Sequence, residues 1–196
     1  MALKIKIIVG STRPNRFGPQ PAHWFFELAK KRTDAQFELV DLKDVNLPLL
    51  DEGVPPSAKQ PFSQEHTKKW AAIVSEADGF VFVTPEYNHS IGAALKNAID
   101  YLFYEWHFKP VGFVSYGGGA GGGRAVEHLR GVAAEVRLYG IREQVLLTNY
   151  WNTMDEKGQF KFTNDHVTAA NALLDQLLFW TGQFQRSRQD LAKLQK

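Results

Sequence analysis

The chain contains no cysteine. That excludes a disulfide framework, a thiolate zinc site and any cysteine-based nucleophilic or redox chemistry. If the protein moves electrons, a bound cofactor must carry them. Charge of one sign is also missing, because 23 Lys and Arg against 21 Asp and Glu leave a formal net charge of +2. No basic run is long enough to argue for nucleic acid, and Arg186-Ser187-Arg188 with Lys193 to Lys196 reads as a solvated helix end. No apolar stretch approaches transmembrane length, and the start, Met1-Ala2-Leu3-Lys4-Ile5-Lys6, lacks a signal-peptide core. The expectation is a cytoplasmic protein with no membrane or nucleic-acid partner.

What is present suits one compact domain over residues 1–196, with 44% of the chain hydrophobic. Strand and helix alternate. Strands are expected at Lys4 to Val9, Phe37 to Val40, Phe80 to Thr84, Pro110 to Ser115 and Val145 to Leu147. Helices are expected from Pro19 to Arg32, around Trp70 to Ala77, along Leu95 to Leu102, along Val126 to Val136, and from Asp165 into the 180s. Leu47 to Pro61 is Pro-rich and reads as a surface excursion. Five strands, each followed by a helix or long crossover, predict a parallel sheet covered on both faces. The chain is short for a barrel of about 250 residues, so an open doubly wound α/β sheet is the expected fold.

In such a sheet, ligands bind at the carboxyl ends of the strands. Three loops there carry unusual chemistry. The first, Gly10-Ser11-Thr12-Arg13-Pro14-Asn15-Arg16-Phe17-Gly18, sets two hydroxyls and two guanidinium groups just before a helix. Those donors and the positive helix end suit a mononucleotide phosphate. It lacks the Gly-Lys-Ser/Thr of a Walker loop and the spacing of a dinucleotide fingerprint. A plainer reading has Ser11 capping the helix and the arginines solvated. The second, Thr84-Pro85-Glu86-Tyr87-Asn88-His89-Ser90, follows a bulky apolar strand. Tyr87 suits the edge or face of a flat ring, and backbone groups of residues 86 to 88 suit heterocycle nitrogens and oxygens. Alternatively, the stretch is a turn in which Asn88 and Ser90 cap the next helix. The third, Ser115-Tyr116 followed by Gly117 to Gly123 and Arg124, has six glycines, which remove side chains where a ligand must approach the backbone. Together the loops predict a flavin-sized ligand. No carboxylate cluster among them suits a metal-dependent hydrolase.

These residues resemble the NAD(P)H-dependent FMN reductases of flavodoxin-like fold, which include quinone, azo-dye and chromate reductases. The resemblance rests on Gly10-Ser11-Thr12-Arg13, on Pro85 to Ser90 running into Leu95-Lys96-Asn97-Ala98-Ile99-Asp100, and on Ser115-Tyr116-Gly117-Gly118. It implies a three-layer sheet of five parallel strands in the order 2-1-3-4-5. It implies FMN, with NADPH or NADH as co-substrate, in a ping-pong hydride transfer through the flavin to a small-molecule acceptor. It places the phosphate on Ser11, Arg13, Arg16, Phe17 and Gly18. Pro85, Glu86, Tyr87 and Asn88 would border the isoalloxazine, with Ser115, Tyr116, Gly117 and Gly118 along its other edge. It implies a homodimer or homotetramer, with contacts on the helices starting near Gly92 and Gly123. Gly92 replaces a proline common in the family, which predicts a looser helix start, and the glycine run is richer than usual.

No side-chain catalyst or metal is required, because the flavin carries the chemistry. For His89, a surface or structural role is favoured over proton donation to a quinone. Arg13, Arg16 and Arg124 are all candidates for a 2′-phosphate. The alternatives to an enzyme are an electron-carrying flavodoxin and a redox-sensing FMN-binding regulatory module. The balanced charge, without acidic docking clusters, argues against the carrier.

Overall fold

A computed structural model describes residues 2–194. Met1, Gln195 and Lys196, and with them the end of the tail read as a solvated helix end, lie outside the described residues. Strands are β1 (Leu3–Val9), β2 (Ala35–Asp41), β3 (Gly79–Tyr87), β4 (Ser90–Ile91), β5 (Lys109–Gly117) and β6 (Leu138–Thr148). Helices are α1 (Pro19–Ala29), α2 (Leu42–Val45), α3 (Glu65–Glu76), α4 (Ala93–Asp100), α5 (Gly123–Glu135) and α6 (Asn164–Leu194). The long strands run parallel in the order β2-β1-β3-β5-β6, and β4 folds back antiparallel on β3. This is the expected flavodoxin-like order, with one short strand added.

The strand side chains alternate between two cores. Ile5, Ile7, Val9, Val81, Val83 and Val114 pack with Phe25 of α1 and Leu173, Leu174 and Leu177 of α6. Ile8, Phe80, Phe82, Val111 and Phe113 pack with Trp70 of α3, Leu95 and Ile99 of α4, and Leu129 of α5. Central strands buried on both faces are nearly continuous in apolar residues, which is why β1, β3 and β5 are legible in the sequence.

The edge strand β6 is longer than its expected three residues. Its buried positions alternate irregularly with exposed ones, and a register shift opposite Val111 and Phe113 breaks the pattern. Arg130 donates to the carbonyls of Gly140 (3.3 Å), Ile141 (2.6 Å) and Arg142 (3.3 Å), occupying acceptors of the strand. That blunts an edge otherwise open to another chain.

The Pro-rich excursion is an ordered strap. The Asn97 amide bonds Pro48 O (2.6 Å) and accepts from Leu50 N (3.0 Å), while the Tyr101 hydroxyl and His66 Nε2 each meet Asp51 Oδ1 at 2.9 Å. Arg186, Ser187 and Lys193 are exposed, as the reading of a solvated helix end has it, but Arg188 is not. It donates to Asp78 Oδ1 (2.5 Å) and Phe108 O (2.7 Å), because the 31-residue α6 is long enough to pass back along the sheet's lower edge. Gly92 sits at the α4 N-cap with φ −68° and ψ 140°, and Lys96 N reaches Gly92 O at 3.2 Å. The helix starts regularly, so the expected loosening does not occur.

Candidate functional site

The first loop begins where β1 stops. Gly10 N donates to Val83 O at 2.8 Å, and a Cβ at Gly10 would stand 3.0 Å from Leu95 Cδ2. Ser11 is 2% exposed and its Oγ accepts from the Tyr116 hydroxyl at 3.1 Å. It does not cap α1, since the N-cap position is Gly18 and no side chain caps the helix. A Cβ on Gly18 would lie 2.6 Å from Ser11 Oγ and 2.8 Å from Tyr116 Oη, so glycine is what lets the helix start reach β5. Among the described residues, the amides of 11–13 and 15–18 donate to no protein acceptor. Arg13 is exposed beside Tyr87, and hydrogen bonding to that phenol raises its guanidinium pKa. Arg16 turns its guanidinium away from the loop. Its side chain is only 8% exposed and is held by Asp41 at the end of β2, so its amide is what it offers the loop.

The second motif is a strand extension and hairpin, where the sequence suggested a loop. Thr84 and Pro85 pair with Ser115 and Tyr116. A proline is tolerated there because β1 has already ended, leaving no neighbour on that side to require its missing N–H. Tyr87 pairs with Ser90 around Asn88 (φ 49°) and His89 (φ 67°), so both central residues are left-handed, as a type I′ hairpin turn requires. Tyr87, Asn88 and His89 are exposed.

The Glu86 side chain, by contrast, is 5% exposed and turned inward. It accepts from Arg124 N at 3.2 Å and Arg124 Nε at 2.6 Å. Burial works to raise its pKa, but Arg124 and the amides of 124 and 125 outweigh it and hold the carboxyl below its ordinary value. Arg124 is thereby engaged by Glu86, with its side chain still half exposed. Neither Asn88 nor Ser90 caps α4; Ser90 Oγ instead meets His128 Nδ1 of α5 at 2.9 Å.

The glycine run is an ordered turn. Gly121 and Gly122 have φ of 57° and 85°, and a Cβ on Gly122 would sit 2.7 Å from Ser115 Cβ and 2.8 Å from Tyr116 N. The Ser115 hydroxyl donates to Gly121 O at 2.9 Å and so holds the turn. A Cβ on Gly117 would meet Glu86 Cβ at 3.3 Å, whereas Gly119 faces open space. Burial pushes the Tyr116 phenol pKa well up, keeping it a neutral donor toward Ser11.

A fourth segment escaped the sequence reading. After β6, Asn149 N donates to Gly118 O at 3.1 Å, and Tyr150 stacks on Phe17 with centroids 4.2 Å apart. Trp151 is exposed, and its ring stands 3.6 Å from where a Gly118 Cβ would be. The signal was Asn149-Tyr150-Trp151-Asn152, another polar-aromatic cluster at a strand's carboxyl end.

Thus Ser11 meets Tyr116, Arg13 meets Tyr87, and Glu86 meets both Gly117 and Arg124, joining the first three loops at one edge. The free amides, Ser11 and the glycine-lined approach fit a phosphate joined to a flat heterocycle. Fold and edge together define a flavodoxin-like mononucleotide-binding protein.

Residues 3–152 match the NADPH-dependent FMN reductase family, and the chain belongs to it. It is an FMN-dependent NAD(P)H oxidoreductase. Over 136 residues it is 46% identical to an NAD(P)H-dependent FMN reductase of Schizosaccharomyces pombe, covering 69% of this chain and 68% of that one. It is 37% identical to a 2-hydroxy-1,4-benzoquinone reductase of a Burkholderia species over 143 residues, 68% of this chain and 72% of that one. Among solved structures, the flavoenzyme NAD(P)H:(acceptor) oxidoreductase FerB of Paracoccus denitrificans superposes with a TM-score of 0.73 at 20% identity. That match covers 93% of this chain and 99% of FerB, and it supports the fold.

Proposed function

We propose that the FMN phosphate is held by Ser11, the Arg13 guanidinium and the amides of residues 11–13 and 15–18, including those of Arg16, Phe17 and Gly18. Pro85 and the backbone of Glu86, Tyr87 and Asn88 border one side of the isoalloxazine. Ser115 to Gly118 form the other border, with Tyr116 fixing Ser11 from below. FMN, when bound, supplies the two-electron chemistry, accepting from NADPH or NADH and giving to the acceptor. The chain's residues bind it, orient it and leave a face open at Gly119. The acceptor is a small quinone or similar compound, in keeping with the name of the benzoquinone reductase that this chain resembles. The observation that carries this reading is the row of amides without protein acceptors, beside Ser11 and Gly18, opening toward the hairpin and the glycine turn.

The reading includes a single domain over the whole chain, a cytoplasmic location and a homodimer or homotetramer. Exposed Leu49, Leu50, Val54 and Tyr104 beside α4 support the assembly. No helix among the described residues is long and apolar enough to cross a membrane. The test is an anaerobic visible spectrum of the FMN-reconstituted protein. Bleaching of the bound-flavin band in one two-electron step by NADPH or NADH is expected, and the faster donor identifies the preferred nucleotide. A bound flavin that neither donor bleaches would refute the reductase.

A further inference from the structure

The β3–β4 hairpin is a strained object placed against the proposed flavin. Its two turn residues, Asn88 and His89, both carry positive φ, and left-handed backbone at residues other than glycine costs free energy that surrounding contacts must hold. The contacts at its base and return strand come from one helix. Glu86 at the hairpin's base binds Arg124 through both backbone and guanidinium, and Ser90 on the return strand binds His128. Arg124 and His128 stand four residues apart, on one face of α5. The same helix begins directly from the glycine turn, and Gly117 packs on Glu86 Cβ. Glu86 occupies the α5 N-terminus, where its negative charge meets the helix dipole. The two borders of the flavin site are therefore one mechanical unit.

Resting on the flavin assignment above, we infer that Arg124 and His128 are positioning residues. They touch no cofactor. They fix the distance between the hairpin and the turn at Gly117–Gly118, and so the width of the slot that takes the isoalloxazine. The phosphate end is built on the first loop, which meets the hairpin through Arg13 at Tyr87.

The experiment is a fluorescence titration of the flavin-free full chain with FMN and with riboflavin, which has the ring but not the phosphate. Wild type, Arg124→Ala, Glu86→Gln and the double variant are compared. Each single change is expected to weaken both flavins by the same factor, about tenfold for loss of a charge-assisted bond. The double variant falls no further than the weaker single one, because the two residues act through one contact. Unchanged affinity overturns the inference, and so does a loss confined to FMN, which would put Arg124 on the phosphate. If Arg124→Ala melts well below wild type, exposed His128→Ala carries the same test. Equal weakening of both flavins at a wild-type melting temperature supports the role, and unchanged affinity removes it. A wild-type chain that binds neither flavin refutes the site assignment itself.

Discussion

At the residue scale, neighbouring groups of the same type do different work because their surroundings differ. Arg13 and Arg16 lie three positions apart, yet one guanidinium is exposed beside Tyr87 at the site's mouth and the other is buried against Asp41. Arg13→Ala is therefore expected to weaken FMN several-fold or more and to leave riboflavin binding unchanged, as a paired titration would read. The glycines divide in the same way. Gly122→Ala forces a Cβ into Ser115 at positive φ and is expected to cost about 3 kcal/mol in urea unfolding. Gly119→Ala meets nothing within 4 Å and is expected to stay within about 0.5 kcal/mol of wild type. The composition of the glycine run was visible in the sequence. Which glycines are obligatory was not, because that depends on the approach of β5 and β6 behind the turn.

At the element scale, the hairpin and β5 each carry a cost. His89 occupies a left-handed turn position that glycine fills without strain. His89→Gly is expected to raise stability by about 0.5–1 kcal/mol in thermal unfolding, the turn being retained. On β5, burial pushes the Lys109 ammonium pKa down to about 7, with the Arg188 charge adding to the effect against Asp78 and Glu105. Its Nζ donates to Val74 O at 2.8 Å and Ser75 O at 3.3 Å, closing the end of α3. Native Lys109 releases its proton near pH 7, while the unfolded chain keeps it up to the ordinary 10.5. The unfolded state then binds more protons between those values, so this group makes stability rise with pH across the window and adds no slope below it. In chemical denaturation at pH 7 and pH 10, the stability difference between wild type and Lys109→Met is expected to grow in favour of wild type. No growth would show Lys109 to be protonated in the native state at pH 10.

At the scale of the whole molecule, the two cores hold the sheet while its carboxyl edge stays open for chemistry. The exposed apolar strap beside α4 is the surface proposed above for a second copy. Sedimentation velocity is expected to show a species at least twice the 22.2 kDa chain mass, and a monomer would refute the assembly. Leu49→Asp with Val54→Asp is expected to shift that species toward monomer.

The two-faced burial and the three polar clusters at strand ends were legible in the sequence's own patterns, whereas the strand order came only from the resemblance to the reductase family. Apolar runs, helical periodicity and polar clusters at strand ends are local patterns, and a doubly wound sheet brings such clusters to one edge. Long-range partners are not local. Glu86 with Arg124, Arg16 with Asp41, and Arg188 with Asp78 join positions 38, 25 and 110 residues apart. Only the tertiary structure decided which charges reach the ligand edge and which are consumed within the protein, because a charged side chain takes the nearest opposite charge the fold supplies.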